Sequence, residues 1–431
     1  MAIAKRGLIL GATAVAVAAV TVTGAGLHFS QSKAFFEESP KELVDEVWQL
    51  IDRSYVDATF NQVDWQAVRT EYLERSYSGR EEAYVAIREM LERLEDPYTR
   101  FMDPEEFRNM QIDTSGELTG VGIQISQDEE TDEIIVVSPI EDTPAFEAGI
   151  RSQDVITAID GVSTEGMDLS DAVSKIRGPV GSTVVLTIQR EDRSLDFEIS
   201  RARIEIHPVR FSYKESDEGG IGYIRLTQFS ANAADEMQEA IETLEEQDVT
   251  GYILDLRSNP GGLLYSSIDI ARMWLEDGTI VTTVNRQGVI DEESANSGAL
   301  TDRPLVVMVD GGSASASEIL SGALQDNDRA VLVGTRTFGK GLVQSVRSLA
   351  DGSGVAVTVA KYLTPSGRDI NKQGIEPDVE VELSEDQREA LSQARDLIGT
   401  PEDPQYAEAL EILTEEIRAS RASDLSLTGA E

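Results

Sequence analysis

Between about residues 204 and 383 the chain alternates strand-like and helix-like runs. "GGIGYIRLTQF", "SANAADEMQEAIETLEEQ", "VTGYILDLRSN", "LLYSSIDIARMWLEDG", "RPLVVMVDG", "SASEILSGALQDND" and "AVLVGT" follow one another in that order. Apolar runs of this kind read as strands buried on both faces, with the intervening helices as cover. The pattern predicts an α/β core with a largely buried sheet.

The flanking segments have other textures. Residues 37–102 carry helical periodicity: in "SPKELVDEVWQLIDRSYVD" Leu43, Val47, Leu50 and Ile51 share a face, with Ser39 as cap and Pro40 at the first helical position. A second helix runs through "REEAYVAIREMLERLEDPYT" to Asp96-Pro97, and Trp48 and Trp65 read as core. From 103 to 203 short strands alternate with glycine turns, among them Asp160-Gly161, and "DLSDAVSKIRG" reads as a helix from Asp168 to Arg177. Ser230 is the expected cap of the helix that follows it, and 384–431 reads as an acidic helical tail fading into a loose end. Residues 1–27 have the order of an export signal: Lys5 and Arg6, an apolar stretch from Leu8 to Val22, then small residues. The stretch is also long enough to be an uncleaved membrane anchor. Either way the rest of the chain is expected to be exported, to a periplasm or thylakoid lumen, with membrane contact only through this segment.

Composition then removes whole classes of chemistry. The chain has no cysteine and only two histidines, His28 and His207. Removal of the leader near Ala25 or Ala34 would leave His28 at the new end or take it away, and His207 precedes Pro208 at an expected interdomain junction. A Ser-His-Asp triad or a histidine-ligated metal has almost no raw material, and no cofactor or metal is expected. Residues 1–36 hold three basic and no acidic side chains, which leaves 34 basic against 79 acidic residues in the body. Such a surface repels nucleic acid and suits a soluble exported protein.

Two junctions in the α/β region are rich in small residues. "DLRSNPGGLL" leaves backbone N–H groups free at a helix entry, which suits a developing oxyanion, although a plain tight turn looks the same. In "VDGGSASASEIL" serines alternate at 313, 315 and 317 ahead of Glu318. Ser313 or Ser315 would serve as an ordinary helix cap, but three alternating serines exceed what a cap needs. A serine nucleophile without histidine requires a lysine base, made available by burial. After residue 203 the lysines are Lys214, Lys340, Lys361 and Lys372, and only Lys340 directly follows a buried strand between glycines. Its context, "GTRTFGKG", resembles a phosphate-binding loop, but Gly341 stands where a magnesium-ligating Ser or Thr belongs.

"DLRSNPGG", "GGSASASEIL" and "GTRTFGKGLVQ", in this order and spacing, resemble the carboxyl-terminal processing proteases, exported PDZ-containing serine peptidases with a Ser-Lys dyad. The likeness covers nearly all of the chain beyond the leader. It implies an α/β protease core (204–383) with an inserted PDZ domain (103–203) and helical modules at 37–102 and 384–431. It also implies Ser315 as nucleophile and Lys340 as base. Gln344, one helical turn further, would orient the lysine, with the N–H groups of Ala316 and Gly261 as oxyanion donors. The family often has asparagine where this chain has Asp310. The PDZ carboxylate loop would be Gly120, Val121, Gly122 and Ile123, whose glycines let N–H groups converge on a terminal carboxylate. The expected partner is a protein substrate with a free apolar C-terminus. Arg177 would report occupancy of the groove or merely end a helix, and the helical modules are plausible homodimer contacts. The alternative is a catalytically silent PDZ scaffold that binds protein C-termini. A trypsin-like PDZ protease would need a histidine and an all-β domain.

Overall fold

The computed structural model of the protein describes residues 39–428, apart from 129–130, 141–142 and 191–192. The leader segment 1–27 and His28 lie outside the described residues. The chain divides into two compact units, Ser115–Ile206 and the remainder on either side of it.

In the larger unit, six strands form a sheet in the order Val209–Ser216, Gly219–Leu226, Val249–Asp255, Leu305–Val309, Val331–Gly334 and Val379–Glu380. The first pair is antiparallel and the other four pairings are parallel. Every residue of Leu305–Val309 is buried, and the strand shows why an unbroken apolar run was required. Leu305, Val307 and Val309 face a core built with the helices Ala233–Glu245, Leu264–Trp274 and Ala316–Asp326. Val306 and Met308 face the opposite way, onto Tyr406, Ala409, Leu413 and Ile417 of the helix Pro404–Thr428. The acidic tail is therefore the second covering layer of the sheet, and its helix continues to Thr428 where a loose end was expected. Burying such side chains is worth about 1.5–3 kcal/mol each.

A second, antiparallel sheet was not legible as a sheet. It holds Arg100–Met102, Gly354–Leu363, Thr279–Asn285 and Gly288–Ser294 in order, with Leu342–Ser348 also paired to Gly354–Leu363. The N-terminal helices Pro40–Ser54, Trp65–Glu74 and Arg80–Glu92 pack on this sheet and share one cluster with Leu349, Val355 and Val357. Trp48 and Trp65 are both buried and stack with ring centroids 6.2 Å apart. Ser39 caps the first helix, with Glu42 returning a bond to the Ser39 N–H. Two expected helix ends differ. The helix Arg80–Glu92 stops short of Asp96-Pro97, and Asn232, not Ser230, precedes Ala233–Glu245, because the Ser230 hydroxyl is spent on Asn232 Oδ1 at 2.6 Å.

The smaller unit has a six-stranded antiparallel sheet in the order Ile123–Gln127, Ile134–Pro139, Val155–Ile159, Thr183–Arg190 and Arg193–Ser200, with Val162–Ser163 also paired to Val155–Ile159. Its helices are Pro144–Ala148 and Leu169–Ile176, the latter flanked by Asp168 and Arg177. The helix Pro104–Ser115, grouped with this segment by sequence, buries Phe107 and Met110 with Met102 and Ala356 of the larger unit.

Candidate active site

Three strand ends in the larger unit deliver the residues singled out above. The alternating serines have different fates. Ser313 Oγ donates to the Leu256 carbonyl at 2.8 Å, and Ser317 Oγ donates to the Asn259 carbonyl at 2.9 Å. The outer serines thus tie the serine junction to the "LRSN" segment. The middle one does neither: Ser315 Oγ is buried and has no hydrogen-bond partner. Its backbone, at φ 56° and ψ −112°, lies in a region that L-residues rarely occupy. Such strain persists only where the surroundings over-determine it, and it clusters at functional sites.

Two side chains impose this conformation. Glu318, in the first turn of the helix Ala316–Asp326, receives four donors. Its Oε2 accepts the N–H of Ser315 at 2.9 Å and of Lys340 at 2.8 Å, and its Oε1 accepts Gly339 N–H at 2.8 Å and the Thr337 hydroxyl at 2.5 Å. The Tyr362 hydroxyl contacts the carbonyls of both Ser315, at 3.0 Å, and Lys340. One carboxylate and one phenol therefore fasten the same two residues by their backbones. Burial pushes the Glu318 carboxyl above its ordinary value, and the four donors offset part of that shift.

Lys340 is 1% exposed, and its Nζ also lacks a hydrogen-bond partner. Burial, reinforced by the charge of Arg100 and opposed by Glu318 and Asp96, lowers its pKa from 10.5 to about 8. Gln344 is the third buried group with a free atom, its Oε1. It stands on the strand Leu342–Ser348, so the four-residue spacing from Lys340 is not a helical turn. Its Nε2 donates to Thr358 Oγ1 at 3.3 Å on the neighbouring strand. No hydrogen bond joins Ser315 Oγ to Lys340 Nζ or Lys340 Nζ to Gln344 Oε1.

Gly261, at φ 101°, lies against Ser315. A Cβ there would come 2.6 Å from the Ala314 carbonyl oxygen and 2.9 Å from the Ala316 nitrogen. The Gly261 N–H donates to Asn259 Oδ1 at 2.9 Å, so this expected oxyanion donor is engaged within its own turn. Ala316 is the first residue of its helix, where the N–H has no intrahelical acceptor. Asp310 is accommodated: its carboxylate accepts the N–H groups of Ser258 at 2.7 Å and Gly312 at 2.9 Å, fastening the two junctions together.

Comparison with known proteins gives the family. The peptidase family S41 pattern matches residues 220–381, a PDZ domain pattern matches 135–190, and the tricorn protease C1 domain pattern matches 36–77. A carboxyl-terminal-processing protease of Synechocystis sp. is 50% identical over 384 residues, covering 88% of each chain. The chain belongs to the carboxyl-terminal processing proteases of family S41. A chloroplastic carboxyl-terminal-processing peptidase 2 of Arabidopsis thaliana is 42% identical over 345 residues, 77% of this chain and 67% of that one. Among solved structures, a photosystem II D1 C-terminal processing protease is similar at 37% identity and TM-score 0.57, over 86% of this chain and all of that one.

This processing protease also has a buried charge network beside the site, for which no local sequence signal exists. Asp255 and Arg257, both in the quoted "DLRSN", pair at 2.7 Å, and Arg257 also reaches Asp403 at 2.7 Å and Gln405 at 3.0 Å. Burial disfavours the Asp255 charge, yet Arg257 overrides it and holds the carboxyl below its ordinary range. The network bolts the segment that leads into Pro404–Thr428 to the strand end that leads into Asn259-Pro260-Gly261. His207 is exposed and contacts Glu236 Oε1 at 2.8 Å.

The PDZ unit of the protease carries a separate groove of about 180 Å³. Gly120, Val121, Gly122, Ile123 and Ile125 line one side, and Val173, Ile176 and Arg177 line the other. Ile123–Gln127 is an edge of its sheet among the described residues. Gly122 takes φ 84° with the Thr143 side chain against it. Arg177 belongs to the groove wall itself.

Proposed function

We propose that the protein is a serine-type endopeptidase that reads the free C-terminus of an exported protein in its PDZ groove and cleaves near that end through a Ser315–Lys340 dyad. The observation that carries this is the division of labour among the alternating serines. Ser313 and Ser317 are consumed as ties, while Ser315 Oγ is left free, buried and strained beside a buried lysine held by the same carboxylate.

Neutral Lys340 accepts the Ser315 proton, Ser315 Oγ attacks the substrate carbonyl, and the Lys340 ammonium then protonates the leaving amine. Water hydrolyses the acyl-enzyme, with Lys340 again as base. The Ala316 N–H receives the oxyanion, joined by the Gly261 N–H once Asn259 Oδ1 releases or shares it. Gln344 Oε1 accepts from the ammonium. The groove suits a carboxylate at the Gly120–Ile123 turn and an extended peptide along the edge Ile123–Gln127, with an apolar last side chain against Val173 and Ile176. Arg177 on that wall is placed to sense occupancy. Precursors in the periplasm or thylakoid lumen are the substrate class, and a D1-type precursor is a candidate from the name of the solved relative.

Ser315→Ala and Lys340→Ala, assayed on a peptide with a free apolar C-terminus and on its amidated form, test the reading. Both variants should bind the free-acid peptide and fail to cleave it. Full cleavage by either would end the dyad, and equal affinity for the amidated peptide would end carboxylate reading. Carboxylate-dependent binding without any cleavage by the unaltered protein would leave the silent scaffold.

A further inference from the structure

The proposed base has a neighbour from a distant part of the chain. Lys340 Nζ lies over the ring of Tyr98, 4.7 Å from its centroid. Tyr98 belongs to the turn between the helix Arg80–Glu92 and the strand Arg100–Met102, a region without an assigned role. The next residue, Thr99, is buried and tied to the sheet that holds Gln344. Its Oγ1 accepts the Thr358 N–H at 3.0 Å, lies 3.3 Å from Thr358 Oγ1 across 259 positions of sequence, and donates to Asp96 Oδ2 at 2.7 Å. Thr358 Oγ1 in turn accepts the Gln344 amide N–H, which leaves Gln344 Oε1 as the free end.

We propose that the Asp96–Arg100 turn is part of the catalytic apparatus, with Tyr98 receiving the Lys340 ammonium on its ring face and Thr99 positioning the Gln344 amide through Thr358. This rests on the Ser315–Lys340 reading above. An aromatic face attracts a cation and is indifferent to a neutral amine. It therefore acts only after Nζ has taken the Ser315 proton, when the new ammonium sits in a buried site with few partners. The charged groups facing Lys340 are Arg100 and Asp96 from the same turn and Glu318 from the serine helix. The Tyr98 ring adds a charge-selective wall without adding a charge. Thr99 acts at one remove and is a positioning residue.

The test separates the ring's electrostatics from its bulk. Tyr98→Phe keeps the face, and Tyr98→Leu keeps apolar volume without the quadrupole. In Tyr98→Leu the alkaline plateau of kcat/KM should fall about 2- to 30-fold. The midpoint of the acid limb should move down, by up to about 1.5 pH units, because the ammonium has lost a stabilising partner. Tyr98→Phe should match the unaltered enzyme in both. Simple loosening would admit water and move the limb up, toward the ordinary lysine value; that shift, or an unchanged profile in Tyr98→Leu, overturns the role of Tyr98. For Thr99, Thr99→Val should lower kcat with KM unchanged and Thr99→Ser should restore it; equal behaviour of the two overturns the positioning role. Thermal unfolding of each variant identifies losses due to instability, and Thr99→Ser supplies a milder change should Thr99→Val unfold. Lys340→Ala separates the two levels of argument. If it remains active, the dyad reading itself fails. If it is dead while Tyr98→Leu and Thr99→Val behave as wild type, only the present inference fails.

Discussion

Gly122 and Gly261 both hold the chain at positive φ, 84° and 101°, but they are confined by different things. A Cβ on Gly122 would meet the Thr143 side chain at 2.3 Å, while a Cβ on Gly261 would meet the backbone of Ala314 and Ala316. A side chain can rotate away, whereas the backbone around Ser315 is fixed by Glu318 and Tyr362. The units differ in the same sense at large. Among the described residues, every buried side-chain polar atom without a partner lies in the larger unit, and Ser315, Lys340 and Gln344 account for three of them. On the proposed reading, recognition would rest on a satisfied frame and chemistry on an unsatisfied one.

Gly261→Ala presses this contrast hardest. It should lower kcat on a short peptide by about 10²–10³-fold with little change in KM, because it displaces the proposed oxyanion donors. A KM effect alone would mean that Gly261 shapes binding. Core truncations test whether the two roles separate. Leu413→Ala should cost about 2–5 kcal/mol in the larger unit and reduce cleavage of every substrate as the protein unfolds. Ile188→Ala in the PDZ core should abolish carboxylate-dependent binding and spare cleavage of short peptides. Denaturant titrations followed by each activity check the pair.

Lys340→Met measures what the unsatisfied frame costs. The native lysine titrates at about 8 and the unfolded one at 10.5. Between those values the unfolded chain holds more protons, so stability rises with pH, and below pH 8 the burial penalty is present in full. The inactive variant should therefore be more stable at pH 7 by up to about 3 kcal/mol, and the gain should fade by pH 10.5. An unchanged midpoint in urea would show that the ammonium is already solvated or paired. The smallest effect belongs to Gly122→Ala, which should weaken free-acid peptide binding about tenfold, in line with the ~1–2 kcal/mol cost of a left-handed backbone. Thr143→Gly should recover part of the loss, and no comparable single change should recover Gly261→Ala.

Much of the candidate site stood out because its parts occur at strand ends with distinctive small residues, while the choice of Ser315 among the three serines came from the family resemblance. Ser315, Lys340 and the Asn259–Gly262 turn all fall there. The last helix read as an acidic tail, because nothing local could reveal that the sheet was the partner of its Leu413 and Ile417. Tyr98, Thr99, Thr358 and Tyr362 carry no local signal, since a tyrosine or threonine in a strand or turn is ordinary until its contact across the fold is known. Glu318 was visible only as a first-turn carboxylate, which is half of its role. Gln344 was expected one helical turn beyond Lys340 and stands on a strand instead, because a spacing of four does not distinguish a helix from a bulged strand.

The pairing of Arg100–Met102 with Gly354–Leu363 also bears on when the chain becomes dangerous to its surroundings. Synthesis delivers Tyr98 and Thr99 early, the serine junction much later, and Thr358 and Tyr362 later still. On the proposed reading, a chain interrupted between the serine junction and Tyr362 would have Ser315 but lack the phenol that fastens its carbonyl and the strand that receives Thr99. On that reading, competence would arrive with the closing strand, and truncated products would lack it.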